Sequence, residues 1–553
     1  MVHVTPQDFG AVADGSDCTS AIQQALDAVC ASGGTLRFPD GKYGVTSQIS
    51  GTTDKTVNII GSMGTGEESY IKVNAPITGS VIQLSSAGGE IRGLRFYDDP
   101  GETSSGIQGG NTVTGAALEL VNYSQGTVEK CRFDYIKGSA IKAINLQRSN
   151  LSGNYIRGCG DVGNSAVDFA SANSTGPIVQ ATNFSENKIE SCVGAPYVRL
   201  NALTADVKLI GNQFEADTNI AATNQVFVET AGHHTQFIGN RFSRNDNTSV
   251  VIEGANAILT GDSFESQPTM VGARQLHVKA GGAYATVTGV HFVGSAASTG
   301  ISIDASSAEY VSFSGCSMYM NGAVLLGDHC TWTGGSVANC RTTKPYAITI
   351  GSYCTVSGLT MGAFDGPGKN LDCGGIIIAG NGSTATGNVI TGMGGHGLVS
   401  QTPANILKGN VLAGNGAAGS GAGVDLYVTN PSRGFRPEDN VYGTSNGPLA
   451  GRTVHDASGS TTAPSGVPTT IFAVPATPGL HEVSIWIGGE GGAYTAVATI
   501  MQSGASGAAP ILLRNNAGSA NVAISLSGPN VQVTQSGVSG ATVWWDYSFY
   551  RAY

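Results

Sequence analysis

The segments LSGNYI (151–156), LIGNQF (209–214), FIGNRF (237–242) and LTGDSF (259–264) repeat one phrase. An apolar residue and a spacer lead to Gly, then to Asn or a substitute, then through a second spacer to another apolar residue. The phrase returns as VTGVHF (287–292), FSGCSM (313–318), VSGLTM (356–361), ATGNVI (385–390) and LKGNVL (407–412), and more loosely as IRGLRF, VEKCRF and FSENKI. Its third position falls at thirteen places from 93 to 409, a mean interval of 316/12, or about 26 residues. A repeat of that length, with strand-like alternation and no helical segment inside it, is one turn of a solenoid, and about 13 such coils are predicted. Residues at one register then become neighbours about 4.8 Å apart along the rod.

Composition agrees with many short strands and tight turns. The chain has 553 residues, 80 of them Gly, and only 12% are charged. A net charge of −11 with no basic cluster argues against a nucleic-acid partner. No stretch approaches the roughly 18 apolar residues of a membrane span, and the N-terminus lacks a signal-peptide pattern. The ten Cys fall at repeat-equivalent places, Cys330 and Cys354 four residues before the phrase Gly, Cys159 and Cys192 six after its third position. They read as stacked interior thiols, without the close Cys pairs of a zinc site. Asn154, Asn187, Asn212, Asn240, Asn388 and Asn410 share another register and read as an internal amide ladder.

Residues 1–50 form an opening unit. Ile22, Ala25, Leu26 and Val29 lie at helical spacing within 19–29, and Ser32-Gly33-Gly34 ends the helix, which is expected to cover the first coil. Coils occupy 51–445, a Gly/Ser/Thr/Pro-rich connector 446–465, and alternating apolar strands from 466 to 553 a β-sandwich for subunit contacts or sugar binding.

The opening TPQDFGAVADGSDCTSAIQQALDA (5–28), continued by GGTLRFPDGKYGVTSQI (33–49), resembles the start of pectate-lyase-like, right-handed parallel β-helix proteins. These include bacteriophage tailspikes, capsule depolymerases and bacterial polysaccharide-degrading enzymes. With the coils, the resemblance covers residues 1 to about 445. It implies a homotrimer on a phage tail that binds and cleaves a bacterial surface polysaccharide, or alternatively a secreted bacterial enzyme. Attachment to the tail or baseplate would use a missing or separate N-terminal region.

The position four residues after the phrase's third holds Tyr97, Asp134, Arg157, Glu190, Glu215, Ser243 and Glu265 in order. It follows a core apolar residue, so alternation turns it to solvent. Glycoside hydrolysis uses two carboxyl groups, about 5–5.5 Å apart for retention and 6.5–9.5 Å for inversion. Glu190 with Glu215, one coil apart, and Glu215 with Glu265, two coils apart, are both admissible, and stacking like charges would raise one pKa to supply an acid. Asp217 joins them as a catalytic candidate. Arg157, Asp134, His233, His234, Arg241, Asp246, Tyr97 and Tyr155 are substrate-binding candidates, with Asp161, Arg244, Glu253, Tyr135, Tyr319 and the Trp544-Trp545-Tyr547 group beyond them. His233-His234 is also the candidate base of a lyase acting by β-elimination on a uronate. A non-catalytic adhesin would use the same strip. Without an Asp-rich loop, no metal or cofactor is expected.

Overall fold

The structure, a computed structural model, describes residues 2–446 apart from 63–67, 99–112, 162, 171–178, 195, 217–225, 266–272, 295–299, 341, 343, 363–372, 403, 417–422, 430–439 and 443–444, and eight strands between 457 and 550. Each full coil contributes one strand to each of three parallel sheets. In the coil opened by LSGNYI these are Asn150–Ser152, Tyr155–Arg157 and Val167–Ala170. The first and third sheets contain 16 strands each and the second 17. Thirteen rungs of the first sheet carry the phrase, and three more, Val2–Val4, Gly34–Arg37 and Val57–Ile60, precede them.

The phrase is the corner between the first and second sheets. Its third position is left-handed in every copy, with φ from +60° to +66° at Gly153, Gly211, Gly239, Gly261, Gly289, Gly315, Gly334, Gly358, Gly387 and Gly409. That conformation favours Gly, which explains the phrase, although Lys130 and Glu186 also adopt it at +51° and +56°. The next position holds the amide ladder. Asn154 donates its side-chain N–H to Asn187 Oδ1 (2.9 Å), Asn187 to Asn212 (3.0 Å), Asn212 to Asn240 (2.9 Å) and Asn240 to Asp262 (2.8 Å). A second run joins Asn388, Asn410 and Asn440.

Inside, Phe214, Phe242, Phe264 and Phe292 stack rung upon rung at 4.7–5.0 Å between centroids. All ten Cys are buried free thiols, as their register predicted. The helix runs from Thr19 to Ser32, buries Ile22, Ala25, Leu26 and Val29, and ends where Gly33 N–H donates to the Val29 carbonyl. Asp17 Oδ1 accepts the Thr19 N–H at 3.0 Å and so anchors its start. Gly51 lies so close beneath it that a Cβ would stand 2.7 Å from Cys30 Sγ.

A second ladder follows the corner between the third and first sheets. Tyr284, Tyr310, His329 and Tyr353 stack at 4.8–5.1 Å, all with φ between +57° and +62°. Stacking of about 0.5–1.5 kcal/mol per contact offsets the strain of a left-handed aromatic residue.

The C-terminal strands form a five-stranded and a three-stranded antiparallel sheet. The first of them, Ala457–Ala463, pairs with Ala541–Tyr550 and occupies part of the expected connector. The side chains of Trp544, Trp545 and Tyr547 lie outside the described residues.

Candidate active site on the outer faces

The second sheet aligns the predicted strip. Tyr97, Asp134, Arg157, Glu190, Glu215, Ser243 and Glu265 are partners in successive pairs. Beside them runs a second outward row, Arg95, Arg132, Tyr155, Lys188, Gln213 and Arg241. This second row supplies cations to Asp134, Glu190 and Glu265 of the first.

Asp134, expected to face solvent, is fully buried. Arg95 and Arg132 each place Nε 2.7 Å from its Oδ2, so it acts as a counter-ion beneath two guanidinium groups. Glu190 lies 2.5 Å from Lys188 Nζ and 3.7 Å from Arg157 Nε, and Tyr155 donates its hydroxyl to it. Burial pushes the Glu190 carboxyl up, but Lys188, Tyr155 and Arg157 outweigh burial and leave it below the usual carboxylate range. Stacking of like charges therefore does not raise the Glu190 carboxyl, because Lys188, Tyr155 and Arg157 are its close partners. Glu215 pairs with Arg244 at 2.9 Å, and Glu265 with Arg241 at 2.5 Å. Tyr97 meets Tyr135 edge-on at 6.2 Å, and Arg132 lies over the Tyr155 ring at 5.0 Å.

The remaining candidates scatter. His233 and His234 occupy the third-to-first corner, across the rod from the strip, with His234 Nδ1 3.7 Å from Asp206. Asp246 is exposed on the second-to-third corner, beyond Arg244. Asp161 accepts N–H bonds from Gly163 and Asn164 and closes a local turn. Glu253 pairs with Lys279. Tyr319 is exposed further along the second sheet. Asp217 lies outside the described residues.

The third sheet brings together a row that counting from the phrase missed. Glu119, Lys142, Asp168, Arg199 and Glu229 are successive register partners. Lys142 Nζ stands 3.8 Å from Glu119 and Arg199 Nε 3.9 Å from Glu229, while Asp168 lies between the two cations. Burial pushes the Asp168 carboxyl up, and Arg199 and Lys142 only partly offset it. Further along, His277 faces Asp304 across adjacent strands. Burial holds the His277 imidazole below its ordinary value, and Arg274 pairs with Asp304 at 3.0 Å.

Connection lengths distinguish the two faces. First-to-second corners such as 130–131, 153–154 and 186–187 contain two residues, so the second sheet has no wall on that side. At Asp168 and Arg199 the connections that enter the third sheet are nine and seven residues long, 158–166 and 191–197, and those that leave it for the first sheet are twelve and seven, 171–182 and 201–207. A small extra sheet pairs Val179–Gln180 with Thr204–Ala205 within the connections that leave it.

Residues 2–199 match the sequence model of a family described as rhamnogalacturonase A/epimerase, pectate lyase-like. Over that stretch the chain is similar to pectate-lyase-like proteins. The resemblance read from the opening segment is thus borne out, and the matched stretch includes Glu119, Lys142, Asp168 and Arg199. No curated protein matches. Among solved structures the chain is similar to tailspike protein 3 of bacteriophage CBA120, with 14% identity, a TM-score of 0.41, and coverage of 74% of this chain and 61% of that one. The chain therefore spans about three-fifths of that tailspike's length. It is also similar to the tailspike gp49 of Acinetobacter baumannii bacteriophage Fri1, a capsular polysaccharide depolymerase, with 13% identity, a TM-score of 0.27, and coverage of 100% and 86%. A third likeness is to PfbA, a surface adhesin of Streptococcus pneumoniae, with 14% identity, a TM-score of 0.39, and coverage of 78% and 93%. At these values the likenesses identify no reaction in this chain. Among the described residues, no helix is long and apolar enough to cross a membrane.

Proposed function

We propose that this chain is a phage tailspike depolymerase that endo-cleaves a bacterial surface polysaccharide by carboxylate-dependent hydrolysis on an outer face of the β-helix. The observation that carries the reading is the position of Asp168, whose carboxyl burial raises above its ordinary value although it lies between two cations, on the sheet with long connections at both edges. A neutral carboxyl is the acid that protonates a leaving glycosidic oxygen. Glu119 and Glu229 each lie two rungs from it, roughly 9–10 Å along the sheet, near the spacing of an inverting pair. Lys142 would hold an acidic sugar beside it.

The second-sheet strip is the competing placement within the same chemistry. Glu215 with Glu190 or Glu265 provides the carboxylates there, Arg157 and Arg241 the substrate contacts, and Asp217 a further candidate. Elimination is a second reaction, favoured by one feature: the half-buried His277, whose imidazole burial holds below its ordinary value, beside Asp304 and Arg274 has the composition of a base next to a carboxylate clamp. Assembly as a homotrimer and a place on the virion belong to the same proposal. The test is incubation of the chain with a panel of host polysaccharides. New reducing ends without the ultraviolet absorbance of an unsaturated uronate support hydrolysis; that absorbance replaces it with elimination, and binding without cleavage leaves an adhesin.

A further inference from the structure

At the N-terminal end of the rod, a cavity of about 770 Å³ opens along the first sheet and its corner with the second. Its wall contains His3, Arg37, Arg92 and Lys130 together with Thr5, Thr35 and Ser62. The size is that of a small-molecule site. The charge is unexpected in a chain of net −11.

The register explains how the cations meet. Arg37, Ile60 and Arg92 are successive partners on the first sheet, and Lys130 follows on the next corner. Arg92 pairs with Glu90 at 3.1 Å and has Glu129 as its strand partner on the other side, so it is neutralised locally. Among the described residues, Arg37 and Lys130 have no carboxylate within ion-pair distance. Both side chains are exposed, and neither fills the core. Neither charge is taken up by the fold, and both line the same concave wall.

We propose that this cavity is a second, non-catalytic saccharide site that takes a carboxylate-bearing sugar. Arg37 and Lys130 stand three rungs, roughly 14 Å, apart along the rod, so each supplies charge-assisted bonds to a different carboxylate of an oligouronate. Thr35, Ser62 and the backbone at Gly61 and Gly93 face the sugar hydroxyls, a mixture better suited to a uronate than to a bare inorganic anion. Its ligand class rests on the polysaccharide reading above, but its binding does not require cleavage.

Calorimetric titration of the full chain with trigalacturonate, maltotriose and inorganic phosphate tests the assignment. The double variant Arg37→Gln, Lys130→Gln should bind trigalacturonate with about tenfold or more lower affinity than wild type, at an unchanged thermal midpoint. Maltotriose should not compete. Undiminished binding by the double variant, absence of trigalacturonate binding in wild type, equal binding of maltotriose, or phosphate bound as tightly as trigalacturonate would each overturn it. A chain that binds here yet cleaves no polysaccharide refutes the catalytic proposal alone.

Discussion

Asn240 donates both its backbone N–H and its side-chain N–H to Asp262 Oδ1, at 2.7 and 2.8 Å, and Asp262 terminates the amide ladder. Each ladder Asn also donates Nδ2 to a carbonyl one rung back, as Asn240 does to Leu209. Asp262 Oδ2 occupies the corresponding place, where register puts the Phe237 carbonyl, and has no hydrogen-bond partner as a carboxylate. A protonated Oδ2 becomes the donor that Asn would have been.

Burial therefore outweighs the Asn240 bonds and pushes the Asp262 carboxyl up to about 7. Between the ordinary carboxyl range and that value, the native state binds a proton that the unfolded state lacks. The contribution is full at low pH and lost as pH rises through about 7. Thermal unfolding measured from pH 5 to 8 should show a falling midpoint, and Asp262→Asn should flatten that slope and raise stability at pH 8. A wild-type slope unchanged in Asp262→Asn contradicts the assignment.

Within the ladder, Asn212 links three rungs, and its Nδ2 reaches both the Phe184 carbonyl and Asn240 Oδ1. Asn212→Ala removes the Oδ1 that accepts the buried Asn187 backbone N–H and one of the two acceptors of the Asn187 side-chain amide. Chemical denaturation should record a loss of about 2–3 kcal/mol or more; a loss under about 0.5 kcal/mol would show that the ladder is ornamental to stability.

The buried thiols give a third expectation. Burial raises Cys131, Cys192 and Cys354 to about 12, so their thiolate is scarce at neutral pH. A thiol reagent should label these sites slowly in the native protein and rapidly in denaturant. Rapid native labelling of Cys192 would contradict the interior register.

Arg199 is the positioning residue whose charge holds Asp168 down against burial. Arg199→Gln should raise the Asp168 pKa and move the alkaline limb of the pH–activity profile to higher pH, since the acid must be protonated. A limb that stays in place, with only KM altered, would give Arg199 a role in binding instead.

The sequence made the first two sheets legible because their corner is two residues long and fixed by a left-handed Gly, so one register orders Tyr97 through Glu265. Burial of Asp134 was not legible, since Arg95 and Arg132 reach it from a row that the phrase does not mark. Nor was the third-sheet row. Connections as different as 135–138 and 216–227 separate it from the phrase, and counting loses step. A local signal was nonetheless present in Leu118-Glu119-Leu120, Val167-Asp168-Phe169, Val198-Arg199-Leu200 and Leu276-His277-Val278, each a charged or titratable residue between two inward apolar ones.

The central claim, hydrolysis with Asp168 as the acid, is tested most directly by reducing-end release from a cleaved host polysaccharide by wild type, Asp168→Asn and Glu215→Gln under identical conditions. Asp168→Asn should lose about 10²–10⁴-fold in kcat with its fold and thermal midpoint retained, while Glu215→Gln keeps activity within about tenfold. Full activity in Asp168→Asn, with activity lost in Glu215→Gln, would contradict this account and move the chemistry to the second sheet.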